Sequence, residues 1–166
     1  LFWLRDLQIN KILYVSPAYE EIWGRSCQSL LDNPQSFTET IHPEDRERVR
    51  QAQLAAAENG LFNEEYRILR PDGSRRWVHA ATYPVLDENG NIIRLTGVAR
   101  DITDRKEMIA AIQAREEALK SIFRAAPVGI GMVINRIIQE ANDFLCEMTG
   151  YSREELLGQS ARMLYP

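Results

Sequence analysis

The stretch that decides the fold is RILRPDGSRRWVHAATYPVLDENGNIIRLTGVARDIT, residues 67–103. It places two turn sequences, PDG at 71–73 and ENG at 88–90, between three apolar runs rich in β-branched and aromatic residues. Proline presets φ for a tight turn, and glycine supplies the positive φ that hairpin turns require. The pattern predicts a three-stranded antiparallel meander over residues 66–69, 77–86 and 92–102.

The residues before the meander complete one α+β unit. Residues 2–6 and 11–15 are predicted to form a hairpin. Three short helices are predicted over residues 17–23, 27–31 and 43–58. Ser16 is expected to cap the first of them and Gly24 to end it. The order β-β-α-α-α-β-β-β predicts a five-stranded antiparallel sheet with short helices on one face.

The chain contains an internal repeat. SPAYEEIWGRSCQSLLD, from Ser16, aligns without gaps with NDFLCEMTGYSREELLG, from Asn142, and five of the seventeen positions are identical. A glycine, a serine and a pair of leucines recur in register 126 residues later. The chain is therefore expected to hold one complete unit and the opening of a second, which stops before any meander and whose sheet this chain cannot complete.

Composition restricts the class of protein. A length of 166 residues suits one domain and part of another, and a hydrophobic content of 45% allows an ordinary core. The net charge of −4, with basic and acidic residues interspersed, argues against nucleic-acid binding. No apolar run approaches the roughly 20 residues that span a bilayer, so no membrane contact is expected. Cys27 and Cys146 lie far apart without metal-binding spacing, which predicts free thiols and a cytoplasmic protein. The opening LFWLRD lacks an initiator methionine, so the chain is expected to come from a longer protein.

The motifs, in their order and spacing, resemble the PAS domain in its common bacterial signalling form. They are YVSPAYEEIWGRS (14–26), IHPEDRERV (41–49), YRILRPDGSRRWV (66–78) and GNIIRLTGVARDITDRK (90–106). The resemblance implies a PAS domain over residues 1–103, a linker helix over 104–124, and the N-terminal half of a second PAS domain over 125–166.

The resemblance also implies the function. PAS units act as sensory and dimerisation modules in histidine kinases, cyclic-di-nucleotide enzymes and similar receptors. We therefore expect a module that dimerises and relays conformational change to a C-terminal effector. The alternative is a receptor domain that binds a metabolite or a flavin between sheet and helices. The stimulus, the effector, the parent protein and the orientation of the dimer are not determined by these residues.

The linker helix is the expected route of output. Asp101 and Thr103 stand where a helix cap belongs, and no glycine or proline follows before Pro127. Alternating steps of three and four residues select the positions Ile102, Arg105, Ile109, Ile112, Glu116, Leu119 and Phe123. Five of the seven are apolar, which favours a parallel two-helix coil between two copies. An amphipathic helix that packs on its own sheet is the alternative.

Strand alternation predicts which residues lie on each face of the sheet, because successive side chains point to opposite faces. Similarity to PAS domains places one set toward the helices, together with bulky residues from the helical side. The candidate cavity residues are Tyr19, Trp23, Phe37, Tyr66, Ile68, Val78, Ala80, Thr82, Leu95, Gly97 and Ala99. Tyr66 and Thr82 are the expected polar contacts of a ligand, although these side chains can also fill a closely packed core. Trp77, His79, Tyr83 and Val98 are then expected outside, where the chain itself or a partner covers them.

Catalytic and cofactor motifs are scarce. No nucleophile triad, phosphate loop or metal spacing is present, and neither His42 nor His79 has a second ligand nearby, so no enzyme activity and no metal are expected of this chain. Haem-binding PAS domains carry an axial histidine on the long helix, where residues 43–58 have none. Photoactive flavin domains carry an Asn-Cys-Arg motif, where this chain reads DNPQSFTET, and a glutamine at the position of Ala99. Haem and photoactive flavin chemistry are therefore not expected, and the alternatives are a packed core without ligand, a small apolar or aromatic ligand, or a non-covalent flavin.

Overall fold

Two units form the chain, described by a computed structural model that covers residues 1–57 and 59–164. The first unit comprises residues 1–107 and the second begins at Met108. The last residue of the predicted helix over 43–58 and the last two residues of the chain lie outside the described residues.

A five-stranded antiparallel sheet forms the first unit, as the sequence predicted. Its spatial order is β2-β1-β5-β4-β3, so the first hairpin lies beside the last strand of the meander. The strands are β1 (Phe2–Asp6), β2 (Lys11–Val15), β3 (Phe62–Leu69), β4 (Arg75–Leu86) and β5 (Ile92–Asp101). β3 starts four residues before the predicted strand, because Phe62 pairs with Thr82 across the sheet.

The two meander turns have the chemistry expected of them. Gly73 and Gly90 have φ values of 81° and 84°, in the region that only glycine adopts at no steric cost. An aspartate stabilises each turn through its side chain. Asp72 Oδ1 accepts the Ser74 N–H at 2.8 Å, and Asp87 Oδ1 accepts the Asn91 N–H at the same distance.

Four helices, not three, lie between the hairpin and the meander in the described part of the chain. They are α1 (Ala18–Trp23), α2 (Cys27–Asp32), α3 (Ser36–Glu39) and α4 (Pro43–Ala56). α3 is a single turn that has no apolar periodicity to reveal it. Ser16 does not cap α1, which corrects the prediction: its hydroxyl accepts the Phe2 N–H at 3.0 Å and joins the helix start to β1. Gly24 ends α1 with a φ of 67°, as predicted.

The core of the first unit lies between the helices and the inner sheet face. Tyr19 of α1, Val49 of α4, and Ile68 and Val78 of the sheet are almost completely buried. Asp45, in the first turn of α4, is also buried and accepts three hydrogen bonds from Arg67 of β3, at 2.8–2.9 Å. α4 is therefore tied to the sheet by an ion pair as well as by apolar contact.

The helix α5 (Thr103–Ala125) follows β5, and the second unit then repeats the opening of the first. The later elements are β6 (Gly131–Ile134), β7 (Ile137–Ala141), α6 (Asp143–Thr149), α7 (Arg153–Leu156) and a 3₁₀ turn (Ala161–Leu164). β7 lies 126 residues after β2, and Gly150 ends α6 with a φ of 77°, as Gly24 ends α1. Asn142 occupies the position of Ser16, and its Oδ1 accepts the Ile130 N–H at 2.9 Å.

Candidate ligand cavity, sheet face and linker helix

A cavity of about 380 Å³ lies between the inner sheet face and the helices of the first unit. That volume is within the range of small-molecule sites, which runs from roughly 300 to 1,000 Å³. Eight of the predicted cavity residues line it: Tyr19, Trp23, Phe37, Tyr66, Ala80, Thr82, Leu95 and Ala99.

Three other candidates are placed differently. Ile68 and Val78 are fully buried in the apolar core and do not belong to the cavity wall. Gly97 lies beneath the indole ring of Trp3, which pairs with it across β1 and β5. The Trp3 ring takes the place of a side chain at position 97 and forms part of the cavity wall.

Trp3 was missed by sequence reasoning. The available signal was the glycine itself, because a glycine inside a strand often marks the close approach of another group. A Cβ atom at Gly97 would overlap the Trp3 ring, so the two positions are a matched pair. The opening LFWLRD shows a strand but does not reveal which residue of β5 lies beneath the tryptophan.

Of the two expected polar contacts, Thr82 is engaged by the backbone, whereas Tyr66 lies in the cavity wall. The Thr82 hydroxyl donates to the Gly60 carbonyl at 2.7 Å and accepts the Phe62 N–H at 3.1 Å, so it serves the backbone. Tyr66 is buried, and desolvation raises the pKa of its phenol above the usual value. Thr82 therefore holds the start of β3 against β4 at the cavity wall. The Tyr66 phenol stays neutral.

Arg5 is a polar residue of the cavity wall that sequence reasoning did not select. Its Nη2 donates to Asn10 Oδ1, whereas its buried Nε has no hydrogen-bond partner. Burial lowers the pKa of the Arg5 guanidinium from its usual value. The Nε1 of Trp23, also in the wall, is buried without a partner.

Histidine and cysteine are the residues through which haem and a photoactive flavin would be held in this fold. Within the described residues, its lining contains no histidine and no cysteine. Cys27 is half-buried elsewhere, with its thiol 3.6 Å from the Ser16 carbonyl. An axial histidine for haem and a thiol for a flavin adduct are therefore both missing from the lining. The same part of the chain has no cluster of His, Cys, Asp or Glu that could hold a metal ion.

On the outer sheet face, Trp77 is partly covered by cations of its own chain. Lys106 Nζ lies 4.9 Å and Arg67 Cζ 5.5 Å from the centre of a Trp77 ring, within the range of cation–π attraction. Lys106 also pairs with Glu65 at 2.6 Å. The His79 Nε2 lies 2.6 Å from Asn63 Oδ1, which orients the imidazole along the sheet.

The neighbouring part of the outer face stays apolar and exposed. Its most exposed members are Phe2, Tyr14, Tyr83 and Val98, which are 43–54% exposed. Phe2 pairs with Val98 across the strands, and its ring lies 6.0 Å from that of Tyr14. We call these four residues the outer patch.

The start of α5 is anchored to β4 next to Trp77. The Thr103 hydroxyl accepts the Trp77 N–H at 2.9 Å and donates to Asp101 Oδ1 at 2.5 Å. Asp101 Oδ1 also accepts the Thr103 N–H at 2.8 Å. Ile102 is buried in this joint, so it does not extend the apolar seam that the sequence predicted. Of the other seam residues, Ile109, Ile112 and Leu119 are exposed and Phe123 is half-buried.

The sequence of the chain is similar to that of a known family and of a known sensor protein. The PAS fold family matches twice, over residues 12–99 and again over residues 117–166. The chain is 29% identical over 153 residues to the sensor protein FixL of Bradyrhizobium diazoefficiens, covering 87% of this chain and 30% of that protein. It therefore spans less than a third of the length of that relative.

Solved structures agree. The domain of a putative light and redox sensing histidine kinase from Haloarcula marismortui has a TM-score of 0.54 and 34% identity, covering 61% of this chain and 88% of that chain. A sensory box histidine kinase/response regulator from Burkholderia thailandensis has a TM-score of 0.56 and 30% identity, covering 72% and 89%. Within the described residues, no helix has both the length and the hydropathy needed to cross a membrane. The chain therefore belongs to the PAS fold family, with a second PAS region after the first, and it is a sensory module of that family.

Proposed function

We propose that the chain dimerises and relays a conformational change to a C-terminal effector of a multidomain bacterial signal-transduction protein. The observation that carries this proposal is the exposure of the apolar side chains of α5. Ile109, Ile112 and Leu119 of the predicted seam are 43–62% exposed in the single chain. Full burial of such a side chain contributes roughly 1.5–3 kcal/mol. A second copy of the chain that covers these side chains would therefore stabilise a dimer.

A parallel two-helix coil fits the spacing of these residues. The helix is 23 residues long, which gives it a length of about 35 Å. Arg105 and Glu116 interrupt the apolar seam at two positions. Polar residues at seam positions reduce stability, but they can set the register of the two helices.

The route of the relay starts at Trp77. Its N–H is held by Thr103, and its ring is contacted by Lys106, so both lie in the first turn of α5. Any shift of β4 would therefore change the direction in which α5 leaves the sheet. The outer patch offers the same partner a second apolar surface on the first unit.

Disulfide crosslinking tests the dimer. Cys27 and Cys146 are first replaced by serine, and a cysteine is then placed at Ile112 on the seam. An oxidised dimer is expected with Ile112→Cys and not with Ala114→Cys, which lies on the opposite side of the helix and is also exposed. Equal crosslinking at both positions, or at neither, would contradict the parallel coil.

The proposal also covers the effector of the parent protein and its location in the cell. A histidine kinase or a cyclic-di-nucleotide enzyme is the effector that fits a sensory module of this kind. We place the module in the cytoplasm, a placement supported by the two free thiols of Cys27 and Cys146. The sequence that follows Pro166 in the parent gene tests the effector directly.

The second candidate function is that of a small-ligand receptor, and the cavity of about 380 Å³ favours it. A cavity of this size between the sheet and the helices would let a ligand alter the packing against β4. The absorption spectrum of freshly purified protein tests the flavin form of this function. A flavin absorbs visible light, whereas a metabolite of simple structure leaves the protein colourless.

A further inference from the structure

We propose that the cavity binds a small carboxylic acid with an apolar body, whose carboxylate pairs with Arg5. This inference rests on the second candidate function, that of a ligand receptor, and names its class of ligand. It is carried by the position of Arg5, by the missing acidic partner, and by the apolar character of the remaining wall.

Arg5 faces the cavity because it lies two residues after Trp3 on β1, and a β-bulge in the neighbouring strand brings Ile12 to the same side. Leu4 pairs with Tyr14 but Arg5 pairs with Ile12, so Leu13 is the extra residue of β2 and is exposed. The bulge lets Arg5 and Ile12 lie on the same wall of the cavity. Bulges often lie next to functional sites, where they redirect a side chain.

The Arg5 guanidinium has a hydrogen-bond partner at Nη2 but none at Nε. Asn10 accepts a hydrogen bond from Nη2 of Arg5, and Asn10 adopts a φ of 53°, a conformation that asparagine tolerates better than most residues. Nε of Arg5 is buried and has no partner. The side chain is thus positioned while part of its hydrogen-bonding capacity is unused.

Other arginines of the same unit show what Arg5 lacks. Arg67 pairs with Asp45 at 2.8 Å, and Arg94, on the strand beside β1, pairs with Asp6 at 3.4 Å. Arg5 makes no ion pair with the carboxylates of the described residues, and none of the described side chains in the cavity wall is acidic. A half-buried charge without a partner is costly. An anionic ligand would supply the missing charge.

The rest of the wall selects the body of the ligand. It is mostly aromatic and aliphatic, with the side chains of Trp3, Ile12, Trp23, Phe62, Ile92 and Leu95 among its members. A single guanidinium balances one negative charge, which favours a monocarboxylate over a phosphate with two charges. Arg5 can bind a carboxylate through two parallel hydrogen bonds from its guanidinium.

Isothermal titration of the purified 166-residue chain tests the proposal with matched probes. The probes are octanoate and 4-phenylbutanoate, each compared with its amide, which has the same body and no charge. Wild type is expected to bind an acid at least tenfold more tightly than its amide, because a hydrogen bond to a charged group is the difference between them. Arg5→Gln is expected to remove this preference while the amide binds as before.

Two further variants serve as controls for the charge of Arg5. Arg5→Lys retains the charge and should retain part of the preference. Arg100→Gln removes an exposed arginine of β5, away from the cavity wall, and should leave the preference unchanged. Circular dichroism establishes that each variant is folded.

The proposal is overturned if wild type binds neither acid, if acid and amide bind equally, or if Arg5→Gln keeps the preference. A chain that carries a flavin when purified would also overturn it, because the cavity would then already be filled by another class of ligand. Crosslinking at Ile112 is measured without ligand, so failure of the relay proposal and failure of the carboxylate proposal are separate outcomes.

Discussion

At the scale of single residues, the ion pair of Asp45 and Arg67 is the clearest electrostatic contact of the first unit. The Asp45 carboxylate is nearly buried and accepts the Arg67 N–H as well as two guanidinium bonds. The side-chain hydrogen bonds from Arg67 are the main cause that lowers the pKa of Asp45 to about 2. The pair connects the first turn of α4 to β3, an edge strand of the sheet.

Replacing Asp45 should therefore destabilise the first unit in a pH-dependent way. Asp45→Asn is expected to reduce the free energy of unfolding by about 2 kcal/mol at neutral pH, because Arg67 loses its buried counter-charge and keeps the exposed Glu44 as its ionic partner. The folded pKa is depressed, so the contribution of Asp45 is complete above its unfolded pKa and disappears as the pH falls through about 2. Urea unfolding at a series of pH values measures both effects.

The control for this prediction is Glu47→Gln on the same helix. Glu47 is exposed and contacts Arg50 and Gln51 along the helix surface, so the variant should be close to wild type in stability. Equal losses in the two variants would show that charge on α4, and not the buried pair, is what matters.

Gly97 and Trp3 provide a second residue-scale prediction. Gly97→Ala is expected to cost roughly 1–3 kcal/mol, because the added methyl group must displace the Trp3 ring from the sheet. Thermal unfolding and tryptophan fluorescence measure the effect. In a Trp3→Leu background the same glycine substitution should cost clearly less, and equal costs in both backgrounds would disprove the proposed pairing.

At the scale of elements, the joint between β4 and α5 is the feature that matters for output. The Thr103 hydroxyl is shared between the Trp77 N–H and Asp101, and Ile102 is buried at the same place. The helix therefore begins at a point fixed by both a hydrogen-bond network and an apolar contact, while the residues that follow are exposed.

Thr103→Val should loosen this joint without changing the shape of the side chain. The Trp77 N–H would lose its partner, at a cost of roughly 1–3 kcal/mol. Hydrogen exchange is expected to be faster at the start of α5 and at Trp77 than in wild type. Asp104→Asn, an exposed change in the same turn, is the matched control, and faster exchange in both variants would indicate general fraying instead.

At the scale of the whole molecule, the two units differ in the size of their cores. Four apolar residues form the buried cluster of the second unit within the described residues: Ile138, Ala141, Leu145 and Leu156. The first unit has thirteen. Many other apolar side chains of the second unit are exposed, and a two-stranded sheet is only marginally stable by itself.

The second unit should therefore open more readily than the first. Amide protons of β6 and β7 are expected to exchange at lower free energy than those of β4 and β5, as measured by native-state hydrogen exchange. Asp45→Asn should accelerate exchange in β3 and β4 and leave β6 and β7 unchanged. Equal protection in the two sheets would contradict the difference inferred from their cores.

Much of the fold could be predicted because its signals are local. The turns at Gly73 and Gly90, the end of α1 at Gly24 and the repeat 126 residues later each depend on a few adjacent residues. The helix α3 escaped because a single turn has no periodicity. The cap assigned to Ser16 was wrong because its hydroxyl has a competing partner on β1, which no local pattern reveals.

The sequence by itself determined the five strands, their antiparallel pairing in the meander and the long helix after Thr103, because side-chain alternation and turn chemistry act over a few residues. Only the tertiary structure decided what lies in the cavity wall. Trp3 covers a glycine 94 residues away, and Ile12 joins Arg5 on the cavity wall because one residue of β2 bulges out. Such contacts join positions that are distant in the chain, so they depend on strand register and packing.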